Sequence, residues 1–179
     1  CILFNYSNPM AMLTWAANKY GGVKTIGLCH GVEHSHQQIA NVFNLNPLTG
    51  ANCGGGGLEL IDARFLSNIL FRNGRIWAAH HGWLPASGTP DQTAAFWYQI
   101  DPLAMPNPIV QSGVIDGGAG VHHIFPSVAA NCADDACIGF SRSSATICPE
   151  AVFTTRVNGD ALGTARAIRV IKAGDGRYS

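Results

Sequence analysis

The chain has 179 residues with 11 basic and 11 acidic side chains and only 12% charged residues, which excludes nucleic-acid binding through bulk positive charge and a disordered charged tail. Its 47% apolar content is ample for a packed core in one domain or two small ones. No run of about 18 apolar residues occurs, so no membrane-spanning helix is expected. The chain opens on Cys1 rather than Met, on a strand already under way, which predicts an origin in something longer.

Residues 1–46 alternate strand and helix patterns. Ile2-Leu3-Phe4-Asn5-Tyr6 is a short apolar run, and Asn8-Pro9 punctuates it as a turn leading into a helix, with Pro near the first turn. Met10, Leu13, Ala16 and Ala17 recur at three- and four-residue steps, an amphipathic pattern that Gly21-Gly22 stops. Lys24 to Cys29 is a second buried-type strand. His36 to Leu45, with Ile39, Val42 and Phe43 on one side, is a second helix. The order is βαβα, the pattern of a parallel sheet. His34 and His36, two residues apart, lie on different helix faces and read as solvated cap residues rather than joint ligands.

Two motifs in this segment, Asn5-Tyr6-Ser7-Asn8-Pro9-Met10-Ala11-Met12-Leu13-Thr14-Trp15 and Thr25-Ile26-Gly27-Leu28-Cys29-His30-Gly31, resemble the family 4 glycosidases, the NAD- and manganese-dependent α-galactosidase and α-galacturonidase group. The resemblance implies that Asn8 is a sugar or metal contact, Cys29 a manganese ligand and His30 a neighbour of the sugar site. It also implies the family's redox route: oxidation of the sugar C3 hydroxyl by NAD, removal of the acidified C2 proton, elimination of the aglycone, addition of water and reduction back. That route departs from the two-carboxylate scheme of most glycosidases. A Cys at the C-terminal end of a parallel strand stands where open α/β sheets bind ligands, and thiolate with imidazole suits a divalent metal. Read on the residue alone, Cys29 is an ordinary buried thiol packing as a small hydrophobe. Two family features are absent from the sequence: no G-x-G-x-x-G follows a strand, so the nucleotide-binding motif is missing, and the later Gly-x-Asn-His motif does not follow residue 46.

Residues 47–57, running into Gly54-Gly55-Gly56-Gly57, have linker composition. Beyond them the texture is β. Strand candidates fall at Asn68 to Phe71, Arg75 to His80, Ala94 to Ile100, Ile109 to Ile115, His123 to Ala129, Ala136 to Phe140, Val152 to Val157 and Arg166 to Ile171. Asn73-Gly74, Asp116-Gly117-Gly118, Asp134-Asp135 and Asn158-Gly159 supply hairpin turns between them. The predicted fold is therefore mixed: a βαβα segment (1–46), a linker (47–57) and an antiparallel all-β unit (58–179) of either propeller blades or a sandwich. The runs around Arg75 to His80, Phe96 to Pro102, Phe125 to Asn131 and Ile138 to Ser144 resemble about two blades of a secreted bacterial β-propeller.

Within the β unit, the adjacent pairs His80-His81 and His122-His123, with Asp116, are candidates for a metal or sugar site at a sheet end. Neighbouring strand residues point to opposite faces, so at most one His of each pair can serve it. Trp77, Trp83, Trp97 and Tyr98 are either sugar-stacking aromatics or core. Cys132 and Cys137 bracket Ala-Asp-Asp-Ala. If that is a hairpin turn the pair is a disulfide candidate, and otherwise these are two thiols in a reducing compartment. The two resemblances imply different compartments, cytoplasmic for the first and secreted for the second. Three functional readings follow: a carbohydrate-active hydrolase using NAD and Mn2+, a non-enzymatic propeller-type module binding carbohydrate or another partner, and a join of unrelated gene fragments with no evolved activity. Unpaired strand edges in either half predict self-association or pairing of the leader with the β unit.

Overall fold

In the computed structural model the described residues are 2–5, 19, 24–27, 49–51, 53–54, 58–59, 69–87 and 89–176. The chain divides into two compact units, Cys1–Pro47 and Leu48–Ser179.

In the first unit, strand β1 (Ile2–Asn5) pairs in parallel with β2 (Lys24–Gly27), in the register Ile2 with Lys24 through Asn5 with Gly27. Parallel neighbours need a crossover between them, as a βαβ order requires. Lys19 is helical and lies within that crossover. The rest of the first expected helix and all of the second lie outside the described residues, as do Asn8, Cys29, His30, His34 and His36.

The second unit is antiparallel β, as the turn chemistry predicts. A short ladder joins β3 (Thr49–Gly50) to β4 (Leu58–Glu59) within the glycine-rich stretch. The remaining strands form one eight-stranded sheet: β5 (Leu70–Arg72), β6 (Arg75–Leu84), β7 (Gln92–Ile100), β8 (Ile109–Ile115), β9 (Val121–Ala130), β10 (Ala136–Ser144), β11 (Glu150–Arg156) and β12 (Arg169–Lys172). Its order is β12-β11-β10-β9-β7-β6-β5, with β8 also paired to β7. All neighbours are antiparallel except β7 and β9, which meet in parallel at Thr93 and His122. Separate four-stranded blades, which the propeller resemblance implies, are not seen among the described strands. β12 is exposed along its whole length.

Period-two alternation builds the core. Trp77 and Ala79 of β6, Ala95 and Trp97 of β7, Ala136, Ile138 and Phe140 of β10, and Val152 of β11 bury one face, joined by Ile115 and Val128. The indoles of Trp77 and Trp97 stack with centroids 6.3 Å apart. Both rings are fully buried, so they are core rather than sugar platforms. Arg156 follows the same parity as Val152 and Thr154 and is drawn inside with them.

The turns explain the register. Arg72 faces Arg75, leaving Asn73-Gly74 as a two-residue loop with φ of 50° and 73°. Two successive positive φ values define a type I′ hairpin, for which Asn-Gly is the favoured pair. The Asn73 amide donates to the Cys132 carbonyl (2.9 Å) and to Asp134 Oδ1 (3.0 Å), tying this tip to the β9–β10 turn. In that turn Asn131 Oδ1 accepts the amides of Ala133 and Asp135.

The expected Cys132–Cys137 bridge is corrected by this geometry. The residue opposite Cys137 is Ala129, whereas Cys132 sits in the turn, and both sulfurs are exposed free thiols. The disulfide forms instead between Cys53 and Cys148, with Cα atoms 4.7 Å apart and a sequence separation of 95. Cys53 N–H also donates to the Ser144 carbonyl, which anchors the glycine-rich stretch beside the β10–β11 turn.

Candidate functional site

The two histidine pairs do not converge. On β6, His80 lies parallel between Phe96 and Tyr98, with ring centroids at 5.3 and 5.7 Å and interplanar angles of 9° and 6°. Its Nδ1 lies 2.9 Å from the His81 carbonyl, which can only accept, so Nδ1 carries the proton. Nε2, 3.1 Å from the Tyr98 hydroxyl, therefore accepts from it. Burial raises the Tyr98 phenol above its ordinary value and keeps that proton in place. Phe96, His80 and Tyr98 form a half-buried aromatic ladder on the face of β6 and β7 opposite the Trp77–Trp97 stack.

His81 is fully buried on the core side. Its Nδ1 accepts the Phe125 N–H at 3.3 Å, and its ring meets Phe125 edge-on. That contact depends on an irregularity in β9. Ser127 faces Gly139 while Ile124 faces Ser141, so the two residues Phe125 and Pro126 oppose Phe140 alone. Phe125 takes φ of 53°, a strained left-handed value for a bulky residue. His122, His123 and Ile124 lie in regular register ahead of the bulge and are buried in succession, so both faces of β9 are covered there.

His123 donates from Nδ1 to the Ile115 carbonyl at 2.9 Å and packs against Phe140, with ring centroids 4.7 Å apart. Its Nε2 is a buried acceptor with no donor, as is Nδ1 of His122 if the proton sits on the opposite nitrogen. Burial lowers the affinity of both imidazoles for a second proton. For His123, the Arg142 guanidinium acts the same way and the Ile115 carbonyl opposes it. Asp116 is occupied elsewhere, its Oδ1 accepting the Gln92 amide at 2.6 Å and the Gly118 N–H at 2.8 Å. Among the described residues no group of three or more His, Cys, Asp or Glu is placed to hold a metal ion. Among the described residues the His80, His81, His122, His123 and Asp116 cluster is thus not assembled as a metal centre.

Other polar groups near this end have structural partners. Arg142 forms an ion pair with the buried Glu150 directly opposite it on β11, Nε to Oε1 at 2.6 Å. Ser144 Oγ accepts the amides of Thr146 and Ile147, so the Ser141-Arg142-Ser143-Ser144 run serves the strand exit.

Comparison with known proteins bears on the first unit. Residues 1–45 match the model of the family 4 glycosyl hydrolases. An alpha-galactosidase of Rhizobium meliloti is 66% identical over 39 residues, covering 22% of this chain and 8% of that protein. An alpha-galactosidase of Bacillus subtilis is 62% identical over 29 residues, 16% of this chain and 7% of that protein. The chain thus spans less than a tenth of the length of these curated relatives. No solved structure matches the chain. The similarity defines a glycosidase-like relationship confined to a short N-terminal segment, and β1 and β2 are the described strands within it.

Proposed function

We propose that the chain is a carbohydrate-directed protein whose first unit is of glycosidase type, in the α-galactoside or α-galacturonide class. The observation supporting this is the 66% identity to an alpha-galactosidase across 39 residues. On this reading Asn8 and His30 face the sugar, and Cys29 supplies a thiolate to Mn2+. The two implied groups fit this chain unequally. Cys29 and His30 are donors a divalent metal accepts, yet two adjacent residues make half a site. NAD does not fit, because the sequence holds no G-x-G-x-x-G turn to receive the pyrophosphate. No step is therefore assigned to either group here. The test is release of nitrophenol from a nitrophenyl α-galactoside in the presence of NAD and Mn2+. Release lost in Cys29→Ala supports the reading. No release with both supplied overturns hydrolysis by this chain.

The aromatic ladder favours a second reading, in which the β unit is a carbohydrate-binding module. Half-buried aromatic side chains suit sugar-binding surfaces, and Phe96, His80 and Tyr98 form a row of them on one face of β6 and β7. On this reading Tyr98→Ala abolishes glycan-array signal from residues 48–179 in the full chain, while Trp83→Ala leaves it.

A further inference from the structure

Strands β5 to β8 are apolar on both faces. Phe71 stands opposite Ile76, Ile76 opposite Ile100 and Ile100 opposite Ile109, so one apolar row crosses all four strands on the side away from the Trp77–Trp97 stack. Two positions along, Tyr98 faces Ala78 and Ser112, and two further on Phe96 faces His80 and Val114. No Asp, Glu, Lys or Arg stands in these three rows. An antiparallel sheet with one solvated face alternates apolar and polar residues, and these strands do not.

The face is exposed at its large members, Phe71 at 65%, Ile109 at 55% and Val114 at 52%. The loop from Ile100 to Ile109 adds Leu103 and Met105, 91% and 75% exposed, and no charged side chain occurs from Pro102 to Ile115. By ordinary side-chain areas these five residues leave about 600 Å² of apolar surface in water, the upper end for the largest patch of a monomer. The half-buried rings of the ladder bring the total near the roughly 800 Å² that each partner gives to a standard interface.

We propose that this face packs on the same face of a second copy of the chain, related by a two-fold axis, as the two sheets of a sandwich. An uncharged patch that meets itself sets no like charges against one another, and every copy supplies the identical surface. The polar side chains of the ladder are already bonded, Tyr98 to His80 Nε2 and His80 Nδ1 to the His81 carbonyl, so covering them strands no donor. The Arg75–Asp101 ion pair stands beside the first row, where an interface carries its polar rim. The edge strand β12 is a poorer surface for self-pairing. A symmetric antiparallel register centred on Val170 and Ile171 sets Arg169 opposite Lys172 of the other copy.

The inference is independent of the glycosidase reading, since it uses residues of the second unit alone. It places in an interface the ladder that the carbohydrate-binding reading leaves to a sugar, and a chain that stays monomeric overturns it while leaving that reading standing. The test is sedimentation velocity on the full, disulfide-bonded chain, with the free thiols Cys132 and Cys137 alkylated beforehand so that mixed disulfides do not count as association. The expected result is a monomer–dimer equilibrium with Kd of about 1–100 μM, in keeping with an interface at the small end of the range. Val114→Lys should weaken it at least about tenfold, because a buried, unpaired ammonium faces its own copy, and Val170→Lys on β12 should leave it unchanged. Phe71→Lys serves as the second variant should Val114→Lys fail to fold. A monomer up to about 300 μM overturns the proposal, as does a monomer that binds phosphatidylcholine vesicles through this face, which would make the occupant a lipid surface. So does open-ended growth beyond a dimer, equal weakening by Val170→Lys, or a dimer that persists in folded Val114→Lys and Phe71→Lys chains.

Discussion

Single side chains set the acid response of the β unit. His122 and His123 are buried as neutral rings, and burial holds both below the usual imidazole value of about 6.5. The unfolded chain therefore takes up protons at a pH where the folded chain does not. Stability from this source is complete above about pH 6.5 and is lost as pH falls from there through the folded-state values. Thermal unfolding should move to lower temperature between neutral and mildly acidic buffer, and His123→Gln should lower the midpoint at neutral pH yet shrink that acid shift. An undiminished shift would mean that His123 is not a contributor. Neither role is legible in the residue spacing alone. Adjacent histidines predict alternating faces, and both faces of β9 are covered where these two stand. Arg156 was legible in principle, because Val152, Thr154 and Arg156 share one parity on β11. A charge at a core-parity position is the signal that separates it from a solvated arginine.

At the scale of elements, the β pattern was almost fully readable. All eight strand candidates beyond residue 58 are strands, with boundaries mostly within three residues, because period-two hydrophobicity and Gly or Asn turns act locally. Asn73-Gly74 forms the turn its chemistry requires. Pairing order was less legible, since the placement of β9 beside β7 rather than β8 is a long-range outcome. Close packing between elements gives a sharp prediction. A Cβ added at Gly113 of β8 would fall far inside van der Waals contact with the Gly163 carbonyl and the Trp97 indole nitrogen, neither of which can retreat easily. Gly113→Ala should cost about 1–3 kcal/mol through overpacking. At Gly159, nothing lies within 4 Å of an added Cβ, so Gly159→Ala should stay within about 0.5 kcal/mol. Urea midpoints for the two variants make the comparison, and equal losses would show that Gly113 is not a packing constraint.

For the whole molecule, the cysteines show where sequence reasoning stops. Six cysteines allow many connectivities, and the pair nearest in sequence was not the pair the fold brings together. The bond between Cys53 and Cys148 closes a loop of nearly a hundred residues, and in the chain-entropy view such a loop is worth about 2–5 kcal/mol. Cys148→Ser should lower the free energy of unfolding by that amount. Alkylation without reductant should leave Cys53 and Cys148 unlabelled while Cys132 and Cys137 react. Labelling of Cys53 or Cys148 in the folded, unreduced chain would contradict the bond.

The distance between those two cysteines along the chain also imposes an order in time. A polypeptide made from its N-terminus presents Cys53 well before β5 exists, and Cys148 follows only after β10 is complete. The bond therefore seals a sheet whose β6 to β10 strands have already been synthesised. Until then Cys53 is a thiol, and four other cysteines, Cys1, Cys29, Cys132 and Cys137, are all made before its partner Cys148.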